Sequence, residues 1–364
     1  ELGDPKIQVM QIGPAGEQLA LYACIINMAN RANGRTGMGA VMGSKNLKAV
    51  AVRGTKKPPV ADRKALSELA KWGAKSFPDS DIYDMGLHGT ADVLSYQHED
   101  GGLPTRNWSS GVFEGYESLS GTAMTNTILK ERDTCYACVV RCKRVVEITE
   151  GPYQVDPVYG GPEYETLATF GSYCGISDLA AVAKANQICN MYGLDTITTG
   201  ATIAWAMDCF EQEILSLEDT GGIELCFGNA EAMVAMTELI AKREGLGDLL
   251  AGGMAQAAKE LGPEAEALGT AVKANPLPAH MPEVKRSLAL IYAVNPSGAD
   301  HQSHEHDPSY GDYPDRMAEL GLVDAQPDDV LNEEKVRYSM DNQHFYNLMN
   351  TIGVCQFVWG PSWQ

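Results

Sequence analysis

The chain has 364 residues and a formal net charge of −20, with charged residues making up 21% of it. Such an acidic balance argues against nucleic acid as a partner, because phosphate contacts need a basic surface. No apolar run approaches the roughly 20 residues of a membrane span, and no basic-then-apolar leader opens the chain, so the expectation is a cytoplasmic globular protein with no membrane partner.

The sequence starts without Met, in what reads as mid-domain sequence, and is expected to be a piece of something longer. Residues 5–16 contain KIQVMQIG, a strand pattern followed by a Pro- and Gly-marked turn. Residues 17–32 carry apolar positions three and four apart, which predicts a helix. A Gly-rich stretch, 33–46, leads into LKAVAVRG (47–54), expected as a buried strand. The run KKPPVAD (56–62) reads as a linker. Beyond it the pattern is mostly helical, with helices expected over 63–75, 178–192, 197–217, 228–243, 247–261 and 334–350. Asp62 and Ser177 are suited to cap the helices that follow them. Long loops rich in Gly, Pro and aromatic residues fall at 98–116, 150–164 and 294–314, where function often resides.

Arg132-Asp-Thr-Cys135-Tyr-Ala-Cys138-Val-Val-Arg-Cys142 holds C-x2-C-x3-C. Three thiolates so close can wrap one loop around a single centre, and iron–sulfur cubanes commonly take three near cysteines and a remote one. Zinc normally uses two separated pairs, and no second pair is present. Arg132, Arg141, Lys143 and Arg144 flank the loop and are expected to lower its thiol pKa values. Nine cysteines in a large chain without a leader do not suggest a disulfide framework. The fourth ligand could come from Cys24, Cys174, Cys189, Cys209, Cys226 or Cys355. Cys189 and Cys209 sit on apolar helix faces, as core residues do.

Cys355 is the better choice because of a short internal similarity. Asn190-Met-Tyr-Gly193-Leu194-Asp195 and Asn350-Thr-Ile-Gly353-Val354-Cys355 share one pattern, each after an expected helix. A Gly there can end the helix in the left-handed conformation. The loop amides and the acid or thiol beyond would then point to a common place, so two such loops could grip two similar halves of one ligand. Ordinary helix stops would give the same pattern. Gly34-Arg35-Thr36-Gly37-Met38-Gly39 is a weak phosphate-loop match, since it precedes a strand and does not link a strand to a helix. Glu163 and Glu165 open an expected helix, where a carboxylate usually just complements the helix dipole. Asp300-His301-Gln-Ser-His304-Glu305-His306-Asp307 gathers three of the seven histidines, which suits metal binding, proton transfer or a hydrated loop.

Taken together, these blocks resemble the tungsten- or molybdenum-dependent aldehyde:ferredoxin oxidoreductases. The stretches that carry the resemblance are IGPAGEQLALYACI (12–25), GRTGMGAVMGSKNLKAVAVRG (34–54), LPTRNW (103–108), CYACVVRC (135–142), GPEYET (161–166), NMYGLDTITTG (190–200) and NTIGVCQF (350–357). The resemblance implies a metal held between two molybdopterins, with a Mg2+ bridging their phosphates, and a [4Fe-4S] cluster on Cys135, Cys138, Cys142 and Cys355. It places Arg35, Gly37 and Gly39 near a pterin phosphate. The two pterin loops match Asn190, Gly193, Leu194 and Asp195, and Asn350, Gly353 and Val354, with Asn where the family has Asp. Glu163 or Glu165 and His301 match the acid and histidine beside the metal. The implied reaction is two-electron aldehyde oxidation or its reverse, with electrons leaving to ferredoxin or a partner subunit in a homodimer or hetero-oligomer. A benzoyl-CoA-reductase-like member acting on a CoA ester, with Cys174 as a direct metal ligand, is a second expectation. An electron-transfer subunit without catalytic pterin is a third.

The expected fold is mainly α with a small β portion at the N-terminus. Residues 1–58 would be the end of a pterin-binding β domain otherwise largely absent, 59–272 a helical domain, and 273–364 part of a second one.

Overall fold

The computed structural model describes residues 3–358. The small N-terminal β portion is a four-stranded sheet in the order β3-β2-β1-β4. Its strands are β1 (Gln8–Ile12), β2 (Ile25–Asn27), β3 (Arg31–Ala32) and β4 (Ala49–Val52), and every neighbouring pair is antiparallel. Gln11 pairs with Ile26 on one side and Ala49 on the other.

Two expectations fail here. Residues 17–32 form no helix; they supply β2 and β3 instead. Leu19, Met28 and Ala29 have φ of 59°, 49° and 68°, and left-handed residues interrupt any α-helix. The apolar spacing instead buries Ala20, Tyr22 and Cys24 while Leu21 faces out. Strand β4 does form, but it is exposed along its whole length, with Val52 at 55%.

The Gly-rich stretch corrects a third expectation. It does link a strand to a helix, running from β3 through Gly37 into the helix Met38–Ser44. Gly37 caps that helix at φ 76°, a conformation that favours Gly.

The remainder is mostly helical, as the sequence predicts. Asp62 caps Arg63–Ser76 by accepting from the Lys64 and Ala65 amides at 2.9 Å. Asp178, not Ser177, caps Leu179–Tyr192, because its carboxylate reaches the Ala180 and Ala181 amides. The expected helix 197–217 runs Thr196–Glu211, and 247–261 splits into Leu246–Leu250 and Met254–Leu261, where Gly253 at φ 82° breaks the helix. Thr196–Glu211 is apolar on nearly every face and lies at the centre of the main core, with Trp205 and Met207 fully buried.

One contact in this core positions the site. A Cβ at Gly200 would lie 2.7 Å from the Thr169 backbone, so its absence lets helix Tyr164–Phe170 press against Thr196–Glu211. That fixes the short helix that carries Glu165.

Candidate active site

Glu163 and Glu165 part company within one turn. Glu163 is the extended N-cap of helix Tyr164–Phe170, but its side chain makes no cap bond. Its carboxylate accepts from Thr90 Oγ1 at 2.5 Å and from Lys143 Nζ at 2.6 Å. Glu165 turns inward. Its Oε2 accepts from the Ala279 amide at 2.9 Å. Its Oε1 lies 3.4 Å from His280 Nε2 and 3.4 Å from His301 Nε2. Neither ring is aligned to bond it, so this buried oxygen has no hydrogen-bond partner.

Burial drives the electrostatics. It pushes the Glu165 carboxyl up, against the pull of His301, the Ala279 amide and Arg35. It also pushes His280 and His301 well below the usual histidine range. His280 stacks on His301 with ring centres 4.8 Å apart and meets His306 edge-on at 4.6 Å. The result is a carboxyl that resists ionisation beside imidazoles that resist protonation, groups of the kind that pass protons.

A buried hub fixes the histidine loop. Asp307 accepts from the Ser287 amide and hydroxyl and from Lys335 Nζ, the last at 2.5 Å. Lys335 and Asp307 are both fully buried. Ser287 Oγ also meets His304 Nε2 at 3.0 Å. Helices Arg286–Val294 and Glu333–Ile352 are thereby tied to the segment carrying His301.

These groups line a cavity of about 440 Å3. Its wall includes Glu163, Glu165, His280, His301, Lys285 and Gln356. Two wall residues lie next to the expected cysteine set: Glu163 grips Lys143, the neighbour of Cys142, and Gln356 follows Cys355.

Cys135, Cys138 and Cys142 sit in the loop of the β5 (Leu129–Asp133) and β6 (Lys143–Val146) hairpin. Ala137 and Arg141 both take φ of 55°, which curls the loop around its thiols. Cys135 and Cys355 lie near enough to raise the Cys142 thiol further. Burial first, then Glu163, pushes Cys142 up to about 11, which outweighs Lys143 and reverses the expected lowering. All four thiols are free. Three thiols in one loop, with Cys135 and the distant Cys355 close enough to act on Cys142, would suit an iron–sulfur cluster.

The expected pterin contacts fare unevenly. The Arg35 guanidinium is not open to a phosphate. It donates to Asp195 Oδ2 (2.9 Å), Thr198 Oγ1 (3.2 Å) and the Pro276 carbonyl (3.0 Å). A Cβ on Gly37 or Gly39 would strike the Leu21 and Cys24 carbonyls, at 2.0 and 2.6 Å. They let helix Met38–Ser44 close on the 21–24 segment. Gly193 does end its helix left-handed, at φ 77°. The amides beyond it turn inward, however: Leu194 donates to Cys189 and Asp195 to Tyr22, while the Asp195 carboxylate caps the next helix. Asn190 donates through Nδ2 to the Tyr159 carbonyl at 3.0 Å. The first loop thus locks the β sheet to the helices. The second is more open. Gly353 ends Glu333–Ile352 at φ 74°, Asn350 is exposed and Val354 half-buried. Cys174 is fully buried, with its Sγ 3.4 Å from the Thr169 carbonyl, and it does not line the cavity. That packing gives Cys174 a place in the core, away from this cavity.

His280 and Lys285 were not singled out from the sequence. His280 stands alone in Pro278-Ala-His-Met-Pro, and Lys285 carries no spacing signal.

The comparisons with known proteins bear on family and fold. The family model described as "Aldehyde ferredoxin oxidoreductase, N-terminal domain" matches residues 1–54, and that described as "domains 2 & 3" matches 68–364. The first match is partly at odds with the expectation that the N-terminal domain is largely absent. A tungsten-containing aldehyde ferredoxin oxidoreductase of Thermococcus kodakarensis is 37% identical over 366 residues, 98% of this chain and 57% of the relative. An aliphatic sulfonate oxidoreductase, WOR-like subunit, of Pyrococcus furiosus is 30% identical over 85% of this chain and 50% of the relative. The chain spans little more than half the length of these relatives. Among solved structures, the active-site complex BamBC of benzoyl coenzyme A reductase with 1,5-dienoyl-CoA superposes with a TM-score of 0.75. At 21% identity, over 98% of this chain and 59% of that one, it speaks for the fold. With both family models matched in order across nearly its whole length, the chain belongs to the aldehyde ferredoxin oxidoreductase family.

Proposed function

We propose that this chain is part of a tungsten (or molybdenum) bis-pterin oxidoreductase. It converts an aldehyde to a carboxylic acid, RCHO + H2O → RCOOH + 2H+ + 2e−, and hands the electrons through a [4Fe-4S] cluster to ferredoxin or a partner subunit. The observation that carries the reading is the shared wall. One cavity holds the Glu165–His280–His301 cluster and has on its wall Gln356, beside Cys355, and Glu163, which pairs with Lys143 beside Cys142.

The residues fit the two cofactors to different degrees. Cys135, Cys138, Cys142 and Cys355 would hold the cluster. The unbonded Glu165 Oε1 and His280 Nδ1, both buried, suit a cavity built around an added polar group. The open loop with Asn350, Gly353 and Val354 is the part of this chain that would meet a pterin; Arg35 and the first loop would support it from behind. The bound metal would supply the two-electron redox chemistry.

The chain's own residues manage protons. A neutral His301 or His280 accepts a proton from the attacking water. Glu165, its carboxyl pushed up by burial, hydrogen-bonds the substrate oxygen or relays that proton outward. Glu163, half-exposed and paired with Lys143, links this pocket to the cysteine loop and takes no direct part. Packing keeps Cys174 out of the cavity, which weakens the aryl-CoA reductase alternative.

The test is elemental and pterin analysis of the full-length protein purified without oxygen, with aldehyde- and aryl-CoA-dependent dye reduction beside it. Tungsten or molybdenum together with iron and pterin is expected, with aldehyde turnover. Iron without pterin would instead indicate an electron-transfer subunit.

A further inference from the structure

The cavity holds one charge that none of the chemistry above uses. Lys285 lies at the start of helix Arg286–Val294 and is only 2% exposed. It lines the same cavity as Glu165 and His301. Among the described residues, no carboxylate or carbonyl lies within bonding distance of its Nζ. Its close neighbour is the face of Tyr96, also on the wall, 5.2 Å from the ring centre. An ammonium on the cavity wall, with a cation–π contact and no hydrogen bond, keeps hydrogen-bonding capacity for something else.

The other charges on the wall are accounted for. Glu163 is paired with Lys143 at 2.6 Å, and Asp81 with Arg316 at 3.0 Å. Glu305 accepts from Tyr346 at 2.6 Å, and Asp312 is exposed to water. Glu165 is held toward its neutral form by burial. His280, His301 and His306 are held neutral. Lys285 itself is lowered by burial to about 8, a value that leaves it mostly charged at neutral pH. Asp100, Asp307 and Asp328 act on it through space but make no hydrogen bond to it, so its donors stay free for a ligand.

We infer that Lys285 is a specificity-determining residue that pairs with an anionic group, a carboxylate or sulfonate, carried by the substrate away from its reacting carbonyl. This rests on the aldehyde-oxidising reading and names its substrate class: small anionic aldehydes. At about 440 Å3 the cavity suits a single-ring or short-chain molecule.

The experiment uses the full-length holoenzyme with benzaldehyde, 4-carboxybenzaldehyde and 4-sulfobenzaldehyde. The wild type is expected to favour at least one anionic aldehyde over benzaldehyde by roughly tenfold or more in kcat/KM, the scale of one charge-assisted hydrogen bond. Whichever anion wins identifies the group. In Lys285→Met that ratio falls toward one, chiefly through KM, and Lys285→Arg restores most of it. Calorimetry gives a second readout: 4-(hydroxymethyl)benzoate should bind wild type more tightly than benzyl alcohol does, and Lys285→Met should lose the difference. A Lys285→Met that keeps the anion preference, or a wild type that binds both alcohols alike, overturns the inference. If no aldehyde is oxidised, the functional reading fails, and the calorimetric comparison still judges Lys285.

Discussion

Replacing Lys335 by Met tests the hub that holds the histidine loop. Lys335 and Asp307 are both fully buried and paired at 2.5 Å. Met fills nearly the same space but removes the charge. The Asp307 carboxylate would then be left with only the Ser287 amide and hydroxyl. Orphaning one member of a buried ion pair typically costs about 3–5 kcal/mol. The two surviving donors argue for the lower end, about 3 kcal/mol. For a chain of 364 residues, at about 2.1 cal/mol/K of unfolding entropy per residue, that corresponds to roughly 4 °C in Tm. The assay is urea and thermal unfolding of Lys335→Met, Asp307→Asn and the double variant, as a double-mutant cycle. Because Asp307→Asn keeps an acceptor for Ser287 without a charge, the double variant should be more stable than Lys335→Met alone, with a coupling of about 2 kcal/mol. The reasoning is refuted if Lys335→Met loses under about 1 kcal/mol, or if the two single effects simply add.

Acid should destabilise the fold through the cavity histidines. His306 falls from an unperturbed 6.5 to about 4 on burial, and His280, His301 and His304 are lowered as well. The unfolded chain therefore binds more protons, and stability is lost as pH drops below about 6.5, with His306 alone worth about 3 kcal/mol by pH 4. Urea midpoints measured from pH 4 to 7 that do not rise with pH would contradict this. Cys355→Ser should lower bound iron and bleach the visible absorbance without unfolding the helical core, because Cys355 is exposed; unchanged iron would exclude it as a ligand. Asn190→Asp, though it restores the family's residue, should destabilise by about 1–2 kcal/mol, since it sets a carboxylate against the Tyr159 carbonyl that Asn190 now bonds. A neutral or stabilising effect in urea titration would show that contact to be unimportant.

Local chemistry made part of this protein readable from sequence. C-x2-C-x3-C specifies a thiol loop because its geometry needs only eight consecutive residues. The Asp62 cap and the Gly193 and Gly353 helix stops were legible for the same reason: a cap or a left-handed Gly acts within one turn. The helix expected over 17–32 failed because spacing cannot register left-handed residues such as Leu19 and Met28, which the neighbouring backbone imposes. Arg35, Gly37 and Gly39 carried the family pattern, yet their partners, Asp195 and the Leu21 and Cys24 carbonyls, are known only once the chain closes on itself.

The site itself was decided in three dimensions. His280 meets Glu165 across more than a hundred residues of chain, His301 closes on the same oxygen, and Lys285 joins them with no motif at all. What sequence alone determined was the inventory: thiols, acids, histidines and the order of helices. The close approach of two helices at Gly200 and the buried Asp307–Lys335 pair decided which of those groups share a cavity. Burial then set their protonation, because desolvation depends on the whole fold and not on neighbours in sequence.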